Sequence, residues 1–339
     1  MKTTKFFRIL FVLCLSALFT GCVHEFPDDN PVDPTLIEVD VTLSIDMEFE
    51  TETILQTYSD ELDGDYDIRY IIDIYEAAQA PATRVTNRIV RIVQTENTII
   101  TRGLYHVRDT LRLPAKQYQI IAWIDFVDKG TETDKYYDTD DLQSISILLR
   151  DGQYRGYSTT RDAFTAKCEM DLTPFRGQRY VHYTAEVEAK RPFAIYRIIT
   201  TDIEEYRTYH QSSYAFSMPS WTRVAYNLFF PMGYNSFLYA PERYTPGIGY
   251  SYNFMDVVPE KEAEIASDYV FVEDDTFYLV DFSIMNLEGM HVNTVNNLRI
   301  NLKRNHITII SNEFLTKDIN NNGGIGISDG FSDEIVIRI

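Results

Sequence analysis

The most regular feature of the chain is an alternation of apolar and polar residues with a period of two. In "LIEVDVTLSIDMEF", residues 36–49, apolar side chains occupy the odd positions from Ile37 to Ile45, and polar ones the even positions from Glu38 to Asp46. In an extended strand these two sets point to opposite faces. The segment therefore predicts a strand with one buried and one wet face, as in an antiparallel sheet or a sandwich.

Runs of the same kind, rich in β-branched and aromatic residues, continue to the C-terminus. The run at 67–77 is the most apolar and is expected to be a central strand. The run at 109–127 predicts two strands around a turn at 114–117. Further strands are predicted in "RIVRIVQT", "QSISILL", "AFTAKCEMDLTPF", "YVHYTAEVEAKRPFAIYRIIT" (broken near Arg191 and Pro192), "RVAYNLFF", "SYNFMDVV", "DYVFVEDDTFYLVDFSIMN", "LRINLKRNHITIISNEFL" and "DEIVIRI". Short strands without long alternating helices indicate all-β sandwiches.

Two short helices are expected among these strands. "TDIE" forms a capping box, in which Thr201 can accept from the backbone N–H of Glu204 while Glu204 reaches back. That helix is expected to run to about His210. "PEKEAEIA", residues 259–266, predicts a second helix of a single turn that begins with proline.

Proline, glycine and polar residues in "TPFRGQ", residues 173–178, separate two strand-rich blocks of ordinary domain size. The expected organisation is a first β-sandwich over 36–175 and a second over 176–339. Before them, the acidic and proline-containing residues 22–35 are expected to form an extended, solvated tether.

The N-terminus predicts export. Lys2, Lys5 and Arg8 precede a short apolar run, which is the pattern of a signal peptide over residues 1–21. The run ends in "LFTGC", where Gly21 precedes Cys22 as the small residue precedes the acylated cysteine of a bacterial lipobox. Cleavage between Gly21 and Cys22 would leave Cys22 as a lipidated N-terminus. Acyl chains would hold the protein on a membrane, because each buried CH2 contributes about 0.8 kcal/mol.

Charge and cysteine content narrow the function classes. The formal net charge is −20 and becomes −23 when the three basic residues of the signal peptide are removed. A chain this acidic, without a large basic patch, repels nucleic acid phosphates. Cys14 leaves with the signal and Cys22 carries lipid, so Cys168 alone stays a thiol. The mature chain is therefore expected to have no intrachain disulfide and no cysteine-based zinc cluster.

The loop "DINNNGGIGISD", residues 318–329, matches part of a calcium-binding loop. Its candidate positions are Asp318, Asn320, Asn322, Gly323, Ile325 and Asp329. The twelfth position carries Asp instead of the longer Glu, and the flanks are strand-like instead of helical. A strand connection rich in Asn and Gly explains the same composition, since both residues tolerate a positive φ. No cofactor or metal is expected.

Other catalytic patterns fail for lack of partners. "GISDG" places Ser328 in a G-x-S-x-G match, yet only nine residues follow Gly330 and none is His. The histidines form no metal-binding spacing; His24, His106, His182, His291 and His306 are interpreted as surface or half-buried side chains. Carboxylates are abundant, but no particular pair stands out for acid/base work. The chain is therefore interpreted as non-enzymatic.

Aromatic residues cluster in residues 226–254, and they support two interpretations. Rings in a sandwich commonly fill the core. Exposed rings would instead form a face that stacks on carbohydrate. The tyrosines considered for such a face are Tyr234, Tyr239, Tyr244 and Tyr250.

Several segments together resemble the fimbrillin-type lipoproteins of Bacteroidales, especially the fimbrillin-associated anchor proteins of the minor fimbriae. They are the lipobox at Cys22, "LRLPAKQYQIIAWIDF" with "YYDTDDLQSI", "EAKRPFAIYRIITTDIEEY", and "LKRNHITIIS", "GGIGI" and "DEIVIRI" at the end. The resemblance implies two tandem transthyretin-like β-sandwiches, with the helices in the second. It also implies a role in assembling or tethering pili outside the outer membrane.

In shaft subunits of that kind a protease cuts after an arginine close behind the first strand, and the opened groove accepts a strand from the next subunit. Here no Arg or Lys occurs from Val23 to Ile68, and Arg69 lies inside a predicted strand. The expected function is therefore that of an uncut, lipid-held anchor on the cell surface that contacts a pilin-like protein. The alternative is a surface glycan-binding lipoprotein of a polysaccharide-uptake system.

Overall fold

The computed structural model describes residues 33–46, 66–77, 88–94, 104–210, 217–254, 261–317 and 334–338. Strands dominate these residues, and the all-β class expected from the period-two pattern is confirmed. The strands up to the chain midpoint are β1 (Ile37–Asp46), β2 (Tyr66–Glu76), β3 (Ile89–Gln94), β4 (Leu104–Leu113), β5 (Gln117–Asp128), β6 (Tyr137–Asp138), β7 (Ile145–Ile147) and β8 (Ala163–Asp171). The later strands are β9 (His182–Ala189), β10 (Phe193–Thr200), β11 (Pro219–Tyr226), β12 (Phe230–Asn235), β13 (Ala240–Thr245), β14 (Gly249–Asn253), β15 (Ala263–Phe271), β16 (Asp275–Asn286), β17 (His291–Lys303), β18 (Ile307–Asn312) and β19 (Glu334–Arg338).

The first sandwich consists of two sheets. One has the strand order β4-β1-β9, and the other has the order β3-β2-β5-β8. The odd-numbered side chains of β1, from Ile37 to Ile45, are all buried between them, as the alternation predicts. The expected turn at 114–117 separates β4 from β5, but the two strands enter different sheets. They therefore form a corner of the sandwich, and not a hairpin.

The sheet β3-β2-β5-β8 contributes buried apolar residues from both faces because it separates two cores. Even-numbered residues of β2 and β5, such as Ile72 and Ile124, face the first core. Odd-numbered ones, such as Ile71 and Trp123, belong to a second and larger core. This explains why the run at 67–77 is so apolar and confirms it as a central strand, paired with both β3 and β5.

The second core is enclosed by three more sheets. Their strand orders are β15-β10-β18-β19, β14-β11-β16-β17 and β13-β12-β7-β6. Pairing is antiparallel except that β10 with β18 and β18 with β19 run parallel. Aromatic rings fill much of this interior; Phe193 and Phe271, for example, stack with centroids 4.5 Å apart.

Strands on each side of the expected boundary at 173–178 belong to the sandwich that was expected on the other side. β9 follows that boundary, yet it pairs in parallel with β1 and buries Ala185 and Val187 in the first core. β7 precedes it, yet it pairs with β12 and buries Ile145 in the second core. A cut between residues 175 and 176 would therefore remove strands from both sandwiches.

The two expected helices have different outcomes. The first is present as α1 (Ile203–His210), and the carbonyl of Asp202 accepts its first bond from the N–H of Tyr206 at 2.9 Å. The second is wrong as far as its described residues go, because Ala263 begins β15. Ala263 and Ile265 are buried, and Ala263, Glu264 and Ala266 pair with β10; this pairing outweighs the local helix signal.

Among the described residues, no helix has the length and apolar character that crossing a membrane requires.

Candidate functional site

The first sheet, β4-β1-β9, is the candidate site, because β1 is the strand next to the expected lipid anchor. β1 pairs with β4 along its whole length, from Ile37 opposite Leu113 to Asp46 opposite Leu104. Its other edge pairs with β9 from Glu38 to Ile45. Both edges of β1 are thus hydrogen-bonded, and its apolar face is sealed in the core.

A polar cluster fastens the outer face of this sheet. Asp40 projects from β1 and is buried, with only 2% of its surface exposed. Its carboxylate accepts from the hydroxyl of Thr110 at 2.6 Å and forms an ion pair with Arg108, both on β4. His182 on β9 brings Nε2 to 3.1 Å from the same carboxylate. One buried aspartate therefore contacts both neighbouring strands, and His182 is the half-exposed side chain that its position predicts.

The end of this sheet where the tether enters carries a second feature. The N–H of Tyr180 donates to the carbonyl of Pro34 at 3.1 Å, and the N–H of Glu38 donates to the carbonyl of Val181 at 2.9 Å. The loop 172–181 is therefore bonded directly to the start of β1. It presents Arg176, Arg179 and Tyr180 to solvent. The sequence pattern gave no signal for this surface, since loop residues lack periodicity.

Several predicted site residues lie outside the described residues. These are the cleavage position Gly21 and Cys22, His24, the loop 318–329 with its calcium-like pattern, and Ser328. Lipidation at Cys22 therefore stays a prediction.

The tyrosines considered for a carbohydrate face do not form one surface. Tyr234 and Tyr250 are buried in the second core. Tyr239 is half-buried and donates from its hydroxyl to the carbonyl of Thr165 at 3.2 Å. Tyr244 is 53% exposed. Two of the four rings serve packing, which is the first of the two interpretations that the sequence allowed.

A buried polar network explains why so many tyrosines gather there. Tyr154 and Tyr226 donate to one carboxylate oxygen of Asp268 at 2.8 and 2.7 Å, and Arg161 donates to the other at 2.9 Å. Tyr196 continues the network, with its hydroxyl 3.0 Å from that of Tyr226. Burial raises the pKa of Tyr154 and Tyr226 well above the ordinary value, so both hydroxyls stay protonated as donors. The network is buried, and we interpret it as stabilising the fold.

The acidic stretch "TDKYYDTDDLQ", residues 133–143, is partly built into the core. Tyr137 and Leu142 are buried. Ligand atoms of Asp134, Asp138 and Asp140 lie within 4.8 Å of one another. Asp134 already pairs with Arg69 at 2.7 Å and accepts from Thr139 at 2.8 and 3.0 Å. Asp134 therefore holds the loop against β2.

A polar cavity of about 340 Å3 lies beside that loop. At its wall the guanidinium of Arg88 forms two bonds to the carboxylate of Asp73, at 3.0 and 2.9 Å. Asp140 and Asp141 line the opening and are exposed. Arg88 lies just before the edge strand β3 and Asp73 lies in β2, so the pair links these two strands.

Comparisons with known proteins identify a family but no activity. The model of a family of unknown function (DUF6562) matches residues 34–339. A search of curated proteins gave no match.

Solved structures of fimbrial proteins match the chain at low identity. The fimbrial anchor protein of Porphyromonas gingivalis is 8% identical with a TM-score of 0.42, over 77% of this chain and 82% of that one. A fimbrial assembly protein of Parabacteroides distasonis is 10% identical with a TM-score of 0.42, over 81% and 90%. The tip fimbrial protein of P. gingivalis is 8% identical with a TM-score of 0.33, over 76% and 81%. These matches include the kind of protein that the sequence resembles.

Proposed function

Since the chain belongs to a family of unknown function (DUF6562), we propose its role from its own residues: a non-enzymatic surface lipoprotein that anchors or assembles fimbriae through protein–protein contact. The proposal places it on the outer membrane, held by acylated Cys22 and facing the cell exterior. Its partner would be a pilin-like surface protein.

The observation that carries the proposal is the position of β1. A shaft subunit must give up its first strand, whereas here β1 lies between β4 and β9 with both edges paired. Removing it would expose a continuous apolar face, since the side chains from Ile37 to Ile45 on that face are almost completely buried. At about 25 cal/mol for each Å2 of apolar surface, the cost is far above that of losing an ordinary loop. We therefore expect β1 to remain part of the first sandwich.

The first basic residue behind β1 is also out of reach of a protease. Arg69 follows a segment without Arg or Lys that extends back to Val23. It is only 3% exposed, lies in the central strand β2, and donates to both carboxylate oxygens of Asp125 at 2.9 and 2.7 Å. A protease that cuts after arginine needs an extended, accessible chain. A chain that is not cleaved after Arg69 keeps the first sandwich connected to the proposed lipid at Cys22, as an anchor requires.

Contact with a partner is supported by exposed large apolar side chains on the second sandwich. Leu228 and Phe229, in the turn between β11 and β12, are 54% and 59% exposed. Tyr244, also exposed, sits in β13 opposite Pro231 of β12. Apolar and aromatic side chains at one end of a domain are features of protein interaction surfaces.

The glycan-binding alternative has less support from the same residues. Stacking on a sugar requires open ring faces, and Tyr234 and Tyr250 are in the core. Of the four tyrosines considered, Tyr244 keeps most of its ring exposed. One ring is a weak platform for a polysaccharide.

The test compares two cysteine substitutions in the producing cells. Cys22→Ala is expected to move the protein from the membrane fraction to the soluble fraction, and a co-purifying pilin-like protein should leave with it. Cys168→Ser is the matched control, because Cys168 lies in β8 and outside the predicted lipobox, and this variant should stay in the membrane fraction. Retention of the Cys22→Ala protein in the membrane would refute lipid anchoring. Micromolar binding to glycans without a protein partner would favour the alternative.

A further inference from the structure

We propose that the loop 172–181 is a membrane-contact surface: Arg176, Arg179 and Tyr180 rest on the phosphate-bearing headgroups of the membrane that holds the anchor. This inference rests on the proposed lipid attachment at Cys22. It assigns a defined orientation to the first sandwich, with the end that carries the tether facing the lipid.

The surface is held at the point where the chain enters the fold. Besides the bonds from Tyr180 to Pro34 and from Glu38 to Val181, the N–H of Leu172 donates to the carbonyl of Lys116 at 2.9 Å. The short 3-10 helix Thr173–Phe175 forms the first part of the loop. The loop, the start of β1 and the β4–β5 turn therefore form one end of the sandwich.

The reach of the tether keeps this end close to the lipid. Cys22 and Asp33 are separated by 11 residue steps. Fully extended, such a segment spans at most roughly 40 Å. An end confined to that distance meets the membrane at an effective concentration near the millimolar range, so weak contacts are sufficient to hold it there.

Tyr180 is presented in an unusual way. Its side chain is 85% exposed, and its backbone has a φ of 59°, in the left-handed region that a tyrosine seldom adopts. Because so little of the ring is buried, packing against the described residues does little to stabilise this placement. Tyrosine is enriched at membrane–water interfaces, because its ring suits the boundary layer and its hydroxyl stays hydrated.

The two arginines supply charge of the right sign. Nearby Arg112 and Lys116 are paired with Glu38 at 3.3 Å and Glu76 at 3.0 Å. Arg176 and Arg179 have no ion pair within the described part of the chain, and both are exposed to solvent. The loop 172–181 contains both arginines and no acidic residue, on a chain whose net charge is −20. A guanidinium group can donate two parallel hydrogen bonds to one phosphate group, so the two arginines suit phosphate-bearing headgroups.

The experiment supplies the lipid hold itself, so that it does not depend on native acylation. The chain from residue 22, with Cys22→Ala and Cys168→Ser, is attached through an N-terminal histidine tag to a chelating lipid in vesicles of phosphatidylcholine and phosphatidylglycerol. A fluorophore is placed by Gln178→Cys or, for comparison, by Leu287→Cys, at an exposed hairpin of the second sandwich. A nitroxide on the lipid headgroups quenches whichever label touches them.

The label at position 178 is expected to be quenched more strongly than the label at 287, and salt should weaken the effect. The triple variant R176Q/R179Q/Y180S should lower the equilibrium constant for contact about 30-fold, since each arginine contributes about fivefold near an anionic surface. The control R150Q/R223Q/Y209S removes the same residue types from other exposed positions and should leave quenching unchanged.

Equal quenching at the two positions would overturn the proposal, as would a triple variant that behaves like its control. Either result would leave lipid anchoring intact, because that is tested separately by the fractionation of the Cys22→Ala protein. Failure of the fractionation test with success here would instead mean that the surface binds headgroups without a native lipid to bring it there.

Discussion

The guanidinium of Arg161 donates to the carboxylate of Asp268 at 2.9 Å, and both side chains are buried. Arg161 ends a short 3-10 helix just before β8, while Asp268 lies in β15. β8 belongs to the sheet shared by both cores, and β15 to the second sandwich. The pair therefore fastens one sandwich to the other through a charge contact that solvent cannot screen.

Asp268→Asn is expected to destabilise the protein by about 3–5 kcal/mol, because it leaves the buried charge of Arg161 uncompensated. Denaturant unfolding monitored by circular dichroism measures this. Arg155→Gln is the control: its exposed guanidinium lies 3.7 Å from Asp151, and its loss should change stability by less than about 0.5 kcal/mol. Equal changes in the free energy of unfolding for the two substitutions would show that the buried Arg161–Asp268 pair does not stabilise the contact between the sandwiches.

Gly156→Ala is expected to cost about 1–3 kcal/mol through overpacking. An added methyl group would lie 2.3 Å from Cδ2 of Tyr250. That ring is buried, and its hydroxyl is held 2.8 Å from that of Tyr196. A double-mutant cycle with Tyr250→Leu checks the cause, since shrinking the ring should cost less in the Gly156→Ala background than in the wild type. Strict additivity would contradict the contact.

Leu43→Ala should destabilise the protein by about 2–5 kcal/mol, because Leu43 of β1 is completely buried in the first core. Thr42→Ala, one residue away on the outer face, should have a much smaller effect. Thermal or denaturant unfolding of the two variants decides whether β1 is a permanent part of the sandwich. A Leu43→Ala protein as stable as the wild type would indicate a strand that is loosely held.

Alkaline pH should destabilise the protein through two tyrosines whose pKa values the fold raises. Burial, with the charge of Glu76 adding to it, raises the pKa of Tyr118 to about 12, and burial raises the pKa of Tyr239 to about 12. In the unfolded chain both have a pKa of about 10. A raised folded-state pKa means that the associated stability is complete below pH of about 10 and is lost as the pH rises toward about 12.

The measurement is the free energy of unfolding between these two pH values, together with tyrosinate absorbance. Tyr118→Phe removes one of the titrating groups, so its stability should fall less steeply with pH than that of the wild type. Full ionisation of the tyrosines near pH 10 with intact circular dichroism would contradict the prediction.

The sequence predicted the strands where one face is dry. β1 alternates because its odd residues fill the first core, and β2 is buried on both faces because each face lines a different core. β13 was not predicted, since all of its residues from Ala240 to Thr245 are partly or fully exposed and leave no apolar period. β6, two residues long, is too short to show one.

Long-range pairing and buried charge could not be predicted in the same way. Nothing local in β9 states that it will pair with β1, some 140 residues earlier, instead of its neighbour β10. Arg161 and Asp268 indicate solvent exposure when judged by residue type alone, and only their mutual contact makes burial tolerable. The surface around Tyr180 was missed for a related reason, because its meaning comes from its distance to the tether.

The intact mass of the protein extracted from membranes of the producing cells tests the central claim most directly. A retained anchor predicts one species, beginning at acylated Cys22 and continuing without a break through β1 and Arg69 to the C-terminus. A species that lacks the acyl mass, or one that begins after β1, would contradict the account.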